Sequence, residues 1–295
     1  MHPFFGDRDV LVLDGGLATR LEELGCDLGD ELWSARLLMD GPELIRQAHR
    51  DFFAAGADVA IAAGYQASVP ALVRQGLTVR EAAEVIRSSV ELAAQARDEA
   101  GGGLVAAGIG PYGAYRADGS EYTGDYGLDE DALADWHRDR WHILAEAGAD
   151  LLACETIPSW AEARALARLL DETPEVRAWV SFSCADSEHI SDGTPLAACA
   201  ELFAGREQVV AVGANCTDPR HISGLIRQVK DMPVVVYPNS GETWDARLRC
   251  WIGTTDPAEF GAAAREWRRA GAALIGGCCR TTPEHIRQVR AHLAG

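Results

Sequence analysis

Eight short runs of Val, Ile, Leu, Ala and Gly recur along the chain, separated by longer polar segments. They lie at Val10–Gly16, Val59–Ala67, Leu104–Pro111, Leu151–Thr156, Ala178–Cys184, Val209–Cys216, Val234–Gly241 and Ala273–Cys279. Most runs show little alternation between apolar and polar residues, which is typical of parallel strands buried on both faces. The pattern therefore predicts a parallel β-sheet covered by helices.

The segments between these runs have helical character. Four of them are rich in Ala, Glu, Arg and Leu and predict helices at Leu77–Ala100, Asp129–Gly148, Ser159–Asp171 and Pro257–Gly271. Thr78 stands three residues before Glu81, as in a capping box. C-caps are predicted at Gly56, Gly148 and Gly271. Eight units in 295 residues, about 37 residues each, predict an α/β fold, a single-domain (β/α)8 TIM barrel over residues 1–295, with an open doubly wound sheet as the alternative.

One stretch, Tyr112–Gly127, has no periodicity and contains four tyrosines. It predicts a long loop after the third strand that could act as a lid. Aromatic faces attract cations, so three of these tyrosines and one later tryptophan are candidates for binding a cationic ligand: Tyr112, Tyr115, Tyr122 and Trp244. The alternative is that they only pack the loop.

Thiols are concentrated at two predicted strand ends. The chain holds eight cysteines, and Cys216 ends the sixth run while Cys278 and Cys279 end the eighth. No signal-like apolar stretch opens the chain and no run approaches the ~18 apolar residues that span a membrane, so a cytoplasmic protein with reduced thiols is expected. Three thiolates can hold Zn²⁺ and leave its fourth position open. The alternative is that they are small core residues, as expected for the other five cysteines.

Acidic residues end two further runs. Asp14 and Glu155 follow apolar stretches, where burial of a carboxylate is costly without a partner. They predict either capture of a substrate ammonium group or a structural hydrogen-bond network. The whole chain has 27 basic against 45 acidic residues, a net charge of -18. This excess argues against nucleic acid and against an anionic membrane as partners.

Seven motifs appear together in one order. They are Asp14-Gly15-Gly16, Gly110-Pro111-Tyr112-Gly113, Asp118-Gly119-Ser120-Glu121-Tyr122, Glu155-Thr156, Asn215-Cys216-Thr217, the YPNSGE string from Tyr237 with Trp244-Asp245, and the GGCCRTTP string from Gly276. Together, over residues 10–290, they closely resemble the zinc-dependent homocysteine S-methyltransferases. The likeness is greatest to the cobalamin-independent branch that uses S-methylmethionine or S-adenosylmethionine.

This resemblance implies a (β/α)8 barrel that transfers a methyl group from a sulfonium donor to homocysteine and yields methionine. Zn²⁺ would be held by Cys216, Cys278 and Cys279, with Asn239 as the candidate fourth ligand. The homocysteine amino group would be bound by Asp14 and Glu155, and further substrate-binding candidates are Gly15, Gly16, Tyr65 and Gln66. The betaine-using branch has Tyr where this chain has Thr156, which speaks against betaine as donor. This chain also departs from its relatives at Ala62-Ala63-Gly64, where they carry hydroxyl residues.

Two other functions remain open at this point. A zinc-free lyase or aldolase would use Asp14 and Glu155 as acid and base. A thiol redox sensor or metal store would use the adjacent pair Cys278 and Cys279, but it gives no reason for the two acids.

Overall fold

Eight parallel strands close into a barrel. The computed structural model describes residues 3–6, 8–28, 34–245, 250–253 and 256–294, with only the backbone at 3, 34–35, 243–245 and 250–252. The barrel strands are β1 (Leu11–Val12), β2 (Val59–Ala62), β3 (Leu104–Ile109), β4 (Leu151–Ile157), β5 (Ala178–Phe182), β6 (Val209–Asn215), β7 (Val234–Tyr237) and β10 (Ala272–Ile275). Each pairs with its neighbour in the order β1-β10-β7-β6-β5-β4-β3-β2, and a parallel bridge from Leu13 to Val59 joins the two ends. The predicted barrel is confirmed, and the open sheet is excluded.

Helices surround the barrel and connect its strands. They are α1 (Leu17–Glu23), α2 (Ser34–Asp40), α3 (Pro42–Ala55), α4 (Val69–Arg74), α5 (Val79–Glu99), α6 (Tyr112–Arg116), α7 (Glu130–Ala145), α8 (Trp160–Glu172), α9 (Leu196–Phe203), α10 (Pro219–Ile226), α11 (Pro257–Ala270) and α12 (Pro283–Leu293). Short 3₁₀ turns lie at Pro3–Phe5 and Ser120–Tyr122, and an antiparallel hairpin of β8 (Thr243–Asp245) and β9 (Cys250–Ile252) precedes α11. Within the described part of the chain, every helix is too short or too polar to cross a membrane.

The predicted helix ends agree with the observed caps in most cases. The Thr78 hydroxyl accepts a hydrogen bond from the backbone N–H of Glu81, and the Glu81 carboxylate accepts one from the backbone N–H of Thr78 at 2.8 Å. Gly56 and Gly271 are the C-caps of α3 and α11, with φ of 107° and 118°. Gly148 also has a positive φ, but it lies two residues beyond the observed C-cap of α7, Glu146.

Most strands are shorter than the apolar runs that predicted them, although β4 extends one residue beyond its run, to Ile157. The first run was expected to reach Gly16, but β1 ends at Val12, and the run to Gly241 contains a strand that ends at Tyr237. The residues past each strand are Gly and polar residues, whose backbones leave the ladder to form the mouth of the barrel. In β1 and β7 the strand therefore ends before the candidate site residues, whereas Glu155 lies at an irregularity within β4.

The predicted loop after β3 contains secondary structure. Residues 110–129, here called the β3 loop, include α6 and the 3₁₀ turn Ser120–Tyr122. Tyr112 and Tyr115, nearly one helical turn apart, both pack on Trp136 of α7, with ring centroids 5.1 and 5.6 Å away. A Cβ at Gly113 would lie 2.2 Å from the backbone nitrogen of Glu121, so the two halves of the loop touch. The short helix α6 is stabilised by aromatic packing on α7. No local periodicity in the sequence indicates such a tertiary contact.

Candidate active site

Three cysteine thiols meet at the carboxyl ends of β6 and β10. The Sγ atoms of Cys216, Cys278 and Cys279 all lie within 4.8 Å of one another, and the Cys216–Cys279 separation is 3.5 Å. Cys216 directly follows β6, whereas the adjacent pair follows β10 and the two glycines after it. A cluster of three thiolates suits a soft or borderline metal and leaves a coordination position for another ligand. The arrangement is a three-cysteine metal site.

Left-handed backbone at non-glycine residues surrounds this cluster. Thr156, Cys216 and Arg280 have φ values of 60°, 47° and 65°. Such conformations cost roughly 1–2 kcal/mol each, so the surrounding structure must hold them. The backbone N–H of Cys216 donates to the carbonyl of Tyr237 at 3.2 Å, and that of Arg280 donates to the Thr19 hydroxyl at 3.0 Å. The backbone is therefore strained at the residues that position the thiols.

Asn215 connects the strand ends beneath the site. Its buried Oδ1 accepts hydrogen bonds from the Thr156 backbone N–H at 2.7 Å and from the Ser181 hydroxyl at 2.8 Å. Its Nδ2 donates to the Thr156 hydroxyl at 2.8 Å and lies 4.0 Å from Cys278 Sγ. This carboxamide therefore fixes the strained Thr156. Asn215 belongs to one of the sequence motifs but was not predicted as a site residue. An amide side chain at the end of an apolar run does not indicate which groups it will bond.

Two buried carboxylates share the cavity with the thiols. Asp14 is 2 % exposed, and its Oδ2 accepts a hydrogen bond from the Ile61 backbone N–H at 2.8 Å. Burial raises the pKa of Asp14 well above its usual range. Burial also raises the pKa of Glu155 to about 8, and the nearby charges of Asp14 and Cys216 act in the same direction. Burial therefore disfavours the charged form of both acids.

The cavity is small, and its described lining carries no basic side chain. Its volume is about 150 Å³, and its described lining is Asp14, Gly15, Gly16, Leu17, Ala18, Thr19, Ile61, Ala62, Ala63, Tyr65, Glu121, Tyr122, Glu155, Thr156, Cys216, Tyr237, Gly277, Cys278 and Cys279. A Cβ at Gly16 would lie 2.6 Å from the carbonyl oxygen of Cys278, so this position requires glycine. A cavity with acids, thiols and no Lys, Arg or His in its described lining favours a small cationic ligand.

Three of the predicted residues lie outside the cavity, and a fourth cannot be placed. Gln66 does not line the cavity, and its amide donates to the carbonyl of Ala114 at 3.2 Å, supporting the β3 loop. Tyr112 and Tyr115 pack against Trp136 instead of entering the cavity. The Trp244 side chain lies outside the described residues.

Asn239 and Tyr122 both approach the thiol cluster, but they make different contacts. The backbone N–H of Asn239 donates to the Thr217 carbonyl at 3.0 Å, while its Oδ1 is buried and has no hydrogen-bond partner among the described residues. The hydroxyl of Tyr122 lies 3.2 Å from Cys216 Sγ, although 47 % of the residue is exposed. Tyr122 therefore covers the thiol cluster from the solvent side.

Glu121 lines the cavity, although in the sequence it was recognised only as part of a motif and not predicted as a site residue. It belongs to the β3 loop, lines the cavity and is 8 % exposed. Burial raises its pKa, and the charge of Cys216 raises it further. Its place in an aperiodic loop concealed this position, since tertiary contacts with Gly113 and Ser183 hold it at the cavity.

A buried polar network holds the base of the β3 loop. Arg140 donates to the carbonyls of Gly110 and Tyr65, at 2.5 and 3.3 Å, and to His137 Nδ1 at 3.1 Å. Because arginine only donates, the proton of this neutral imidazole is on Nε2, which donates to Glu162 at 2.8 Å. The same Glu162 oxygen accepts from the backbone N–H of Tyr112 at 2.7 Å. This network, Arg140–His137–Glu162, joins two strand ends to the loop.

Comparison with known proteins places these features in one family. The sequence profile of the family described as homocysteine S-methyltransferase matches residues 11–293. A homocysteine S-methyltransferase of Bacillus subtilis is 51% identical, with 96% of this chain and 94% of the relative covered. One of Escherichia coli is 48% identical over 96% and 95% of the two chains.

A solved structure extends the likeness to the metal site. The homocysteine methyltransferase of Escherichia coli in its metallated form superposes with a TM-score of 0.87 at 46% identity, covering 98% of each chain. Extensive sequence identity, the same barrel and a three-cysteine metal site lead to one conclusion: the chain belongs to the homocysteine S-methyltransferase family.

Proposed function

We propose that this protein transfers a methyl group from a sulfonium donor to the sulfur of homocysteine and releases methionine. The observation that carries the proposal is one cavity in which three thiols face two buried carboxylates. A zinc-free lyase has no use for the thiol cluster, and a redox protein has no use for the carboxylates. A cytoplasmic location, expected from the sequence, stays a prediction.

We propose Zn²⁺ as the metal that the cysteines hold. Three thiolates match its preferred donors, and the unpaired Oδ1 of Asn239 fits a fourth ligand that yields to the substrate. When bound, Zn²⁺ supplies the acidity that converts the homocysteine thiol to the nucleophilic thiolate. A protein base is therefore not required for that proton.

Asp14 and Glu155 would bind the ammonium group of homocysteine. Both carboxylates are buried, and an ammonium between them relieves the desolvation that raises their pKa values. One Asp14 oxygen is already fixed by the Ile61 N–H, so the carboxylate is oriented before substrate arrives. Gly15 and Gly16 let the backbone of β1 approach the ligand without a side chain between them.

The donor would react in line with the homocysteine sulfur. The new bond forms between that sulfur and the methyl carbon while the carbon–sulfur bond of the sulfonium breaks. The electron pair stays on the donor sulfur, which leaves as a neutral thioether. Holding both sulfurs near contact distance within one cavity lowers the entropic cost of the reaction. S-methylmethionine and S-adenosylmethionine both supply this chemistry.

The direct test is methionine formation from homocysteine with each sulfonium donor in turn, with and without a chelator. We expect turnover that the chelator abolishes and added Zn²⁺ restores. Cys278→Ser should lose bound metal and activity together, whereas Cys26→Ser, which belongs neither to the cluster nor to the cavity lining, should keep both. Full turnover by a metal-free Cys278→Ser protein would overturn the proposal.

A further inference from the structure

The cavity contains one more carboxylate than homocysteine needs. Three acids line it, Asp14, Glu155 and Glu121, and the described lining includes no basic side chain. Asp14 and Glu155 lie close enough for the charge of one to raise the pKa of the other, so they form one site for one ammonium group. Glu121 comes from a different element, the β3 loop, and no basic residue among those that the structure describes supplies it with a counter-charge.

Glu121 is buried and incompletely paired. It is 8 % exposed, and its Oε2 has no hydrogen-bond partner among the described residues. No Lys, Arg or His of the described part of the chain forms an ion pair with it. An isolated buried carboxylate is costly, and natural sites compensate it with a cation.

The position of Glu121 is fixed from two sides. Its carbonyl accepts a hydrogen bond from the buried hydroxyl of Ser183 at 3.2 Å. Its backbone nitrogen lies against Gly113, where any side chain would collide. The next residue, Tyr122, contacts Cys216 Sγ, so the loop places Glu121 beside the thiol cluster. The carboxylate is therefore held at the cavity by the fold.

We propose that Glu121 binds the positive charge of the methyl donor and is the residue that selects a cationic donor over a neutral one. This inference rests on the proposed function, because it assigns the second substrate of the same cavity. Homocysteine brings one ammonium group for Asp14 and Glu155, and the sulfonium brings the charge that Glu121 lacks. Once the methyl group is transferred, the thioether product carries no sulfonium charge, so Glu121 favours donor over spent donor.

The kinetic test replaces the charge with a neutral group of the same shape. Glu121→Gln should raise the KM for the donor at least tenfold and leave the KM for homocysteine within twofold, with S-methylmethionine or S-adenosylmethionine as donor. Glu121→Asp, which keeps the charge, should recover part of the affinity. The matched control is Asp125→Asn, which removes one exposed charge from the same loop and should change neither KM. A donor KM that is unchanged in Glu121→Gln, or equal rises in both KM values, would overturn the inference.

A binding measurement separates this inference from the proposed function. Trimethylsulfonium has the sulfonium charge but no amino or carboxyl group, and its binding can be titrated without turnover. We expect weaker binding to Glu121→Gln than to the wild-type protein and to Asp125→Asn. Equal binding to all three would refute the role of Glu121 even if methionine is formed. Absence of methionine from the wild-type protein would refute the proposed function alone.

Discussion

Single residues at the barrel mouth are held in states that cost free energy until a ligand arrives. Glu155 and Asp14 are buried carboxyls with raised pKa values, and Cys216 has a left-handed backbone. Favourable packing elsewhere in the fold offsets each of these free-energy costs. The fold therefore holds these residues in a binding arrangement before a charged ligand is present.

The raised pKa of Glu155 predicts how amino-acid binding depends on pH. Below about 8 the carboxyl is mostly protonated and cannot pair with an ammonium group. Methionine has the same ammonium but a sulfur that does not titrate, so its inhibition constant reports this group. We expect methionine to bind roughly tenfold more tightly at pH 8 than at pH 6.5.

Glu155→Gln is the control for this pH dependence. The amide does not titrate, so the variant should bind methionine weakly and with little change over the same pH range. The same slope in the variant and in the wild type would show that another group titrates.

The sequence predicted some of these residues and missed others for a physical reason. Cys216, Asp14 and Glu155 are polar residues directly after apolar runs, and strand ends in a barrel converge at one mouth. Glu121 and Asn215 lacked such a signal. The first depends on the path of an irregular loop and the second on cross-strand partners, both of which are set by tertiary contacts.

At the scale of elements, the β3 loop depends on a polar network that lies outside the cavity. His137 links Arg140 to Glu162, and these two hold Gly110 and Tyr112 at the start of the loop. All three network residues are buried, so their hydrogen bonds are protected from water. The far part of the loop carries Tyr122 to the thiols. The network is therefore a support for the loop, and its members are positioning residues.

Removal of the imidazole should disturb the donor side of the site. We expect His137→Leu to lower the free energy of unfolding by about 1–3 kcal/mol, because two buried partners lose a hydrogen bond. We also expect the donor KM to rise more than the homocysteine KM, measured per folded enzyme. His142→Gln, on the exposed face of the same helix, should leave both unchanged.

A double-mutant cycle tests whether this effect passes through Tyr122. If it does, His137→Leu should change donor kcat/KM much less in a Tyr122→Phe background than in the wild type. Fully additive effects would show that the network only stabilises the fold.

Element boundaries were the weaker part of the sequence-based prediction. The four predicted helices were located within a few residues, but α6 was missed and most strands are shorter than expected. A hydrophobic run predicts which residues are buried. At the mouth of a barrel the backbone stays buried beyond the last hydrogen bond between strands, so the run extends beyond the strand. The run that ends at Gly16 illustrates this, since β1 itself stops at Val12.

At the scale of the whole molecule, the metal site exists only in the closed barrel. Cys216 follows β6 and the Cys278–Cys279 pair follows β10, with β7 between them in the sheet. The unfolded chain separates these ligands by about sixty residues, so it offers no comparable site. Metal binding must therefore stabilise the folded barrel as a whole.

Chelation should accordingly lower the melting temperature. A metal present at about 100 times its Kd adds about 2.7 kcal/mol, which for a chain of this size corresponds to a Tm shift of several degrees. Differential scanning calorimetry with and without chelator measures it. Cys278→Ser should melt at the same temperature in both conditions, and an equal shift in this variant would place the stabilising metal elsewhere.

The contact between Tyr122 and Cys216 has a consequence for how long the enzyme lasts. The phenol covers a reactive thiol that is otherwise near the surface. Any movement of the loop that admits a substrate also uncovers that sulfur to dissolved oxidants. Oxidation of that thiol would remove a metal ligand, so the cover that Tyr122 provides bears on how long the protein stays active.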